Sequence, residues 1–271
     1  MTLDDLRLTL KGAGTVWYRD VMSLLRDRSR LFMSIFMSVV MLVGLGFGPG
    51  GAIGKVGGGA GVPGIPYIQF VFPVLLAMNA MFTALQSTMS IVWDREFGLM
   101  RKILVAPISR TSVALGKVAG GVTVALIQVA ITLVAAPMIG LNLSIPAFLA
   151  VLVVLVLVAA AATALGVLVA ARQKSMQAFQ GIAMLVMMPL MGLSMGSLLP
   201  SVGSGKVAAA FKIASQINPV SYGIDALRQL MLGARLPSAL VLHAPWVDAL
   251  VLIAIFVVLM VPGVALFRKR D

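Results

Sequence analysis

The feature that most limits the fold of this chain is an apolar stretch at residues 147–171, built almost entirely of valine, leucine and alanine. Its many β-branched residues would suit a buried strand. However, about 25 apolar residues in succession match the length of a helix that crosses the hydrocarbon core of a bilayer. Such a helix satisfies its own backbone hydrogen bonds in lipid. The stretch therefore predicts a helical membrane protein.

The composition of the whole chain agrees with this class. Of the 271 residues, 60% are hydrophobic and 11% are charged, whereas soluble domains carry about 25% charged residues. The net charge of +12 could suggest a nucleic-acid partner, but the basic residues lie beside apolar runs. We attribute the charge to membrane topology and expect no nucleic acid. With no cysteine and one histidine, His243, we also expect no metal site.

Six apolar stretches are each long enough to cross a bilayer. They lie at about 31–47, 67–93, 113–138, 147–171, 176–198 and 246–267. We therefore expect an all-α, polytopic membrane protein that forms a single transmembrane domain over residues 1–271.

The distribution of basic residues predicts the orientation. Sixteen of the 21 lysines and arginines lie in the first 30 residues, in 94–117, in 172–174 and in 268–270. Cytoplasmic segments carry an excess of Lys and Arg. We expect both termini to be cytoplasmic, in a multi-pass protein of the inner or plasma membrane.

The segment 1–30 has leucines and valines at helical spacing, with Trp17 and Tyr18 near its middle. This pattern is typical of a helix in the plane of the lipid headgroups. A partly ordered cytosolic tail is the alternative. Gly12 and Gly14 are expected to divide the segment into two short helices.

The segment 94–112 is a charged interruption between two apolar stretches. Gly-Lys pairs at 54–55, 116–117 and 205–206 lack the flanking residues of a phosphate-binding loop. The chain therefore has no nucleotide-binding motif of its own. A charged segment held between two membrane helices is well placed to receive force from an ATPase in the cytosol.

Two stripes within the apolar stretches are candidates for a substrate route. Asn79, Thr83 and Gln86 share one face of the second stretch, and Met184, Met188 and Met191 share one face of the fifth. Hydrogen bonding between helices and simple packing are the alternatives.

Residues 192–196 match the G-x-S-x-G pattern of serine hydrolases, with Ser194 as nucleophile and His243 as a conceivable base. The same glycines form a G-x-x-x-G helix-packing pair. Intramembrane hydrolysis is therefore a remote alternative.

The segment 201–245 is too interrupted to span a membrane. After Asn218 and Pro219 the sequence predicts a short amphipathic helix over about 217–231, lying at the outer surface. Asp225 and Arg228 are three residues apart on it.

Two motifs resemble one family. The stretch REFGLMRKILVAPISRTSVALGK at 95–117 is similar to the signature of type-2 ABC exporter permeases, which include daunorubicin-resistance and nodulation-type permeases. The stretch NPVSYGIDALR at 218–228 resembles the family's pattern before the last span. The similarity extends over essentially the whole chain.

The resemblance implies a non-catalytic permease homodimer that pairs with separate ABC ATP-binding subunits, which would hold the ATP and Mg, and no cofactor in this chain. The implied ATPase-coupling residues are Glu96, Phe97, Gly98, Arg101, Lys102, Pro107 and Arg110. The implied outer-helix motif consists of Asn218, Pro219, Tyr222, Asp225 and Arg228.

We expect export of a small amphipathic or hydrophobic compound, drug-like or lipid-like, by alternating access, as in multidrug resistance. An ATPase-independent secondary carrier or channel is the alternative. No residue in the sequence identifies a substrate head group.

Overall fold

The computed structural model describes residues 3–29, 64–97, 110–196 and 218–269, with isolated positions between 32 and 44 and at 213. Every regular element in this part of the chain is a helix, which confirms the all-α prediction. The α-helices are α1 (Leu3–Arg26), α2 (Tyr67–Ser87), α3 (Met89–Glu96), α4 (Arg110–Leu133), α5 (Ile145–Ala170), α6 (Met176–Gly196), α7 (Pro219–Leu232) and α8 (Pro245–Lys269). Short 3-10 turns cover Pro137–Ile139, Gly233–Arg235 and Ser238–Leu240.

Five segments of the described residues are long and apolar enough to cross a membrane. They are Tyr67–Glu96, Ser112–Ile139, Ile145–Ala170, Met176–Ser194 and Pro245–Leu266. They overlap the five stretches from residue 67 onward that the sequence indicates as spans. The stretch predicted first, 31–47, lies mostly outside the described residues, as does 98–109.

Helix α2 lies at the centre of the bundle, where it packs against α4, α5 and α7. The side chains of Phe70, Phe72 and Leu76 are completely buried. In contrast, only 17% of the apolar window in each of α6 and α8 is buried. The outer faces of α6 and α8 are therefore left for lipid or for another subunit.

Helix α1 lies along α4. Its Val16, Val21 and Leu24 are buried against the bundle, whereas Trp17 and Tyr18 are exposed. The segment is therefore the amphipathic helix that the sequence predicts, and its apolar face packs against the bundle.

The predicted division of this helix at Gly12 and Gly14 is wrong, since α1 is continuous from Leu3 to Arg26. A glycine in a helix interior costs about 1 kcal/mol relative to alanine. Packing of the buried face against α4 outweighs that cost.

The two ends of the bundle are distinguished by the elements that lie there. The α1 end holds α1, α3 and the turn between α5 and α6. The α7 end holds α7, the beginning of α2 and the loop that leads into α8, and there Gln69 donates a hydrogen bond of 2.8 Å to the carbonyl oxygen of Ile139.

Helix α7 is largely buried in the bundle. It packs against α2, α5 and α8, and most of its residues, Asp225 and Arg228 included, are buried. Its polar residues are thus buried against the bundle, and its predicted place at the outer side of the membrane stays a prediction. Gly223 permits the close approach to α5, since a Cβ there would lie 2.4 Å from Cγ2 of Val158.

We expect Gly223→Ala to destabilise the fold by about 1–3 kcal/mol, because the stiff valine side chain must shift. Gly181→Ala is the matched control, since a Cβ at this helical glycine meets no atom within 4 Å. Thermal unfolding in detergent measures both. Val158→Ala should restore stability to Gly223→Ala, and the absence of rescue would contradict the packing explanation.

Candidate functional site

A group of charged side chains joins three helices at the α1 end. This α1-end cluster consists of Arg19 and Asp20 from α1, Asp94 from α3 and Lys117 from α4. The ammonium of Lys117 lies 2.9 Å from a carboxylate oxygen of Asp20 and donates a 2.6 Å hydrogen bond to the hydroxyl of Ser90. Its side chain is 1% exposed, so the lysine charge depends on these partners.

Asp94 completes the α1-end cluster. Its Oδ2 atom accepts a 2.7 Å hydrogen bond from Arg19 and lies 3.9 Å from the Lys117 ammonium. Removing one partner of a buried ion pair costs about 3–5 kcal/mol, because the other charge stays buried without compensation. The cluster therefore fixes α1 to both helices that flank the segment 98–109.

Small residues on α4 allow this contact. A Cβ on Gly116 would lie 2.6 Å from the carbonyl oxygen of Ala13, and one on Gly120 would lie 3.0 Å from Cβ of Asp20. Gly116 and Gly120 thus face α1, and their lack of side chains brings the Asp20 carboxylate within reach of Lys117.

The neighbouring residues Arg95 and Glu96 bind the turn between α5 and α6. Nη1 of Arg95 lies 3.0–3.3 Å from the carbonyl oxygens of Ala170, Ala171 and Gln173 and donates to them. Oε2 of Glu96 accepts a 2.9 Å hydrogen bond from the backbone nitrogen of Met176.

These two contacts have favourable electrostatics. Arginine supplies positive charge to the unpaired carbonyl groups at the end of α5, and glutamate supplies negative charge to the first N–H groups of α6. Helix α3 is therefore bound to α5 and α6 as well as to α1.

The structure places three of the predicted coupling residues. Glu96 caps α6, Phe97 is 62% exposed with its ring 5.1 Å from that of Trp93, and Arg110 begins α4. Gly98, Arg101, Lys102 and Pro107 lie outside the described residues. Their coupling role stays a prediction.

The sequence reasoning missed Arg19, Asp20, Asp94 and Lys117 as site residues. A signal exists, because Lys117 lies inside the apolar run of α4, where a lone ammonium needs a partner. Carboxylates of α1 are candidate partners for this ammonium, but the sequence does not show which of them lies next to Lys117.

The candidate substrate-route residues separate into two groups. In α2, the hydroxyl of Thr83 donates a 2.6 Å hydrogen bond to Gln128 of α4 and lies 3.3 Å from Asn79, while Gln86 is half-buried. This favours a packing role for Thr83. In α6, Met184, Met188 and Met191 are 69%, 72% and 37% exposed. These methionines face away from the bundle, whereas Thr83 faces into it.

At the α7 end, Asn218 joins α7 to α6. Its Oδ1 atom accepts a hydrogen bond from the backbone nitrogen of Val220, which caps the helix, and Pro219 occupies the first position. Its Nδ2 group donates to the carbonyl oxygen of Leu190 and to the hydroxyl of Ser194, at 2.8 Å each.

These contacts bear on the hydrolase alternative. The hydroxyl of Ser194 is buried, donates to Leu190 and accepts from Asn218. His243 stacks on Tyr222 at 5.3 Å, and its Nδ1 lies 3.8 Å from Asp248. The arrangement of Ser194 is that of a helix-packing residue, which supports the packing interpretation.

Asp225 and Arg228 are held inside the protein. Asp225 accepts 3.0 Å hydrogen bonds from the backbone nitrogens of Leu242 and His243, and burial raises the pKa of its carboxyl above the ordinary value. The guanidinium of Arg228 lies 4.1 Å from the ring centre of Phe70. Burial lowers the pKa of Arg228 to about 10, so it remains a cation at neutral pH.

The bundle of apolar helices with an attached amphipathic helix has the architecture of a polytopic membrane protein. A family model described as ABC-2 type transporter matches residues 13–232. Because this match covers most of the chain, the protein belongs to the ABC-2 type transporter family.

One similar protein is ycf38 of Cyanophora paradoxa, which is named as a transport permease. It is 40% identical over 43 residues, which is 16% of this chain and 15% of the relative. The similarity thus covers a short part of both proteins and agrees with the family assignment.

We expect Lys117→Met to destabilise the fold by about 3–5 kcal/mol, because the Asp20 and Asp94 carboxylates lose their buried counter-charge. Lys11→Met on the exposed face of α1 is the control and should have little effect. Thermal unfolding in detergent compares the variants. The double variant Asp20→Asn and Lys117→Met should lose less than the sum of the single variants, and strict additivity would contradict the pairing.

Proposed function

We propose that this chain is the permease subunit of an ATP-driven exporter, and that a separate ABC ATP-binding subunit docks at the α1 end of the bundle. The family assignment makes association with such a subunit the natural expectation. ATP and Mg would be held by that partner, since this chain lacks a phosphate-binding loop.

The observation that carries the proposal is the α1-end cluster. It joins α1 to α3 and α4, and α3 is in turn bound by Arg95 and Glu96 to the ends of α5 and α6. A force applied to α1 or to the segment 98–109 would therefore reach four membrane helices through short, charge-assisted contacts.

The basic residues support an orientation with the α1 end in the cytosol. Arg19, Arg95, Arg172 and Lys174 belong to this end, and cytoplasmic segments are rich in such residues. Both termini are then cytoplasmic, and the protein lies in the inner or plasma membrane. This is the side on which ATP is available.

Transport by alternating access fits a homodimer of this chain. The exposed face of α6, with Met184, Met188 and Met191, offers flexible apolar side chains that adapt to varied amphipathic or hydrophobic compounds. We propose that these residues line the route between two permease subunits and that the cargo is drug-like or lipid-like. A secondary carrier remains the competing function and predicts flux in liposomes without an ATPase.

The proposed partner is tested by affinity purification of the tagged chain from its native membrane. Retention of an ABC ATP-binding subunit with ATPase activity is the expected result. A purified chain that carries no such subunit, and that transports substrate in liposomes driven by an ion or proton gradient, would overturn the exporter proposal in favour of the carrier.

Glu96→Gln tests the coupling path. Weakening the charged cap of α6 by about 1 kcal/mol should lower substrate-stimulated ATPase activity roughly five-fold, with normal assembly of the complex. Lys174→Gln is the control, because it changes an exposed charge in the same turn. Equal stimulation in the wild type and Glu96→Gln would remove Glu96 from the coupling path.

Cysteine labelling tests the substrate route, and the chain is suited to it because it has no native cysteine. Met188→Cys should react with a membrane-permeant maleimide and be protected by transported substrate. Met187→Cys is the matched control, since Met187 is 5% exposed and should react slowly in both conditions. Labelling of Met188→Cys that substrate leaves unchanged argues that this face contacts only lipid.

A further inference from the structure

Three side chains meet at the α7 end without an assigned role. Asp225 from α7, His243 from the loop before α8 and Asp248 from α8 form what we call the α7-end triad. One ligand atom from each residue lies within 4.8 Å of the other two. Two carboxylate oxygens and an imidazole nitrogen are a donor set that divalent transition metals accept.

The buried carboxylate of Asp248 is the main indication of a missing ligand. Its side chain is 0% exposed, and neither of its carboxylate oxygens accepts a hydrogen bond from any described residue. A buried carboxylate without hydrogen bonds is costly, and such groups are generally paired with a cation or coordinated to a metal. Nδ1 of His243 lies 3.8 Å from Oδ1 of Asp248, and among the described residues it has no hydrogen-bond partner either.

The other two residues are held in place by contacts that leave a ligand atom available. Oδ2 of Asp225 accepts two backbone hydrogen bonds from the 242–243 loop, which leaves Oδ1. The loop is also fixed by a 2.8 Å hydrogen bond from Gln229 to the carbonyl oxygen of His243, and the imidazole stacks on Tyr222. The side chain of His243 is 34% exposed, so the triad borders the protein surface at the imidazole.

We propose that the α7-end triad binds one divalent transition-metal ion, with Zn²⁺ as the preferred probe. Zinc with ligands at about 2.0–2.2 Å places neighbouring ligand atoms roughly 3.4 Å apart, so the three side chains need to close by about 1 Å. The imidazole selects against Mg²⁺ and Ca²⁺, which prefer oxygen ligands alone.

The bound ion would tie α7 to the loop before α8 and to the first turn of α8. His243 and Asp248 lie beyond residues 13–232, the range of the family match, so the triad is a property of this chain that the family assignment does not supply. The inference does not depend on the exporter proposal.

The experiment uses the full chain in detergent with a tag that contains no histidine, because His243 is the sole histidine. Zn²⁺ at a hundred-fold excess over its Kd should raise the Tm by about 5 °C or more, and calorimetry should give one site per chain. Mg²⁺ and Ca²⁺ at the same concentration should give no comparable shift.

Variants distinguish the triad from adventitious binding. Asp248→Asn and His243→Gln should each weaken Zn²⁺ binding at least ten-fold, whereas Asp27→Asn, at an exposed position just after α1, should not. Asp248→Asn removes a buried charge, so its metal-free form should be at least as stable as the wild type and suitable for titration. Absence of Zn²⁺ binding by the wild type, or Zn²⁺ binding that is equal in all four proteins, would overturn the proposal. A Tm that rises on acidification but does not change on addition of Zn²⁺ would also overturn it.

Discussion

The architecture depends on a buried lysine that is neutralised across three helices. Lys117 lies within an apolar run, where an ammonium group without a counter-charge would be expensive. Its partner Asp20 belongs to a helix that precedes the first predicted span. The buried ammonium of Lys117 in α4 gains its Asp20 partner only when α1 packs against α4. Correct packing of these two helices is therefore required to compensate the buried charge. Gly116 and Gly120 make that packing possible.

Polar side chains also compensate the unpaired backbone groups at the ends of the helices. Neighbouring residues of α3 supply opposite charges to the two helix ends that meet at the α5–α6 turn, while Asn218 serves the start of α7 and one face of α6. In lipid, unpaired backbone groups are costly, so these side chains are placed where chain direction changes. Polar residues that the sequence suggests as functional therefore also hold the helices together.

The sequence predicts the class of fold well because length and apolarity decide it. Residues 145–170 form a membrane-length helix for the same reason that their composition excludes a soluble domain. Partnerships between distant residues could not be predicted in this way. Nothing in the local pattern links Lys117 to Asp20. The amphipathic pattern around Asp225 and Arg228 likewise does not show that both side chains are buried, because periodicity reports that a residue is polar and not which group compensates it. The break predicted at Gly12 and Gly14 is wrong because packing of α1 against α4 outweighs the low helix propensity of glycine.

Helix α6 has polar attachments at two separated points, and between them only a narrow face with Phe179, Ala183 and Met187 packs on the bundle. Glu96 binds its first residue, Met176, and Asn218 binds the carbonyl oxygen of Leu190. These points are about 21 Å apart along a helix that rises 1.5 Å per residue. Pro189, next to the second point, cannot donate the usual backbone hydrogen bond. A displacement of α3 along the membrane normal would therefore be carried by α6 across most of the bilayer and arrive where its helix is most easily bent.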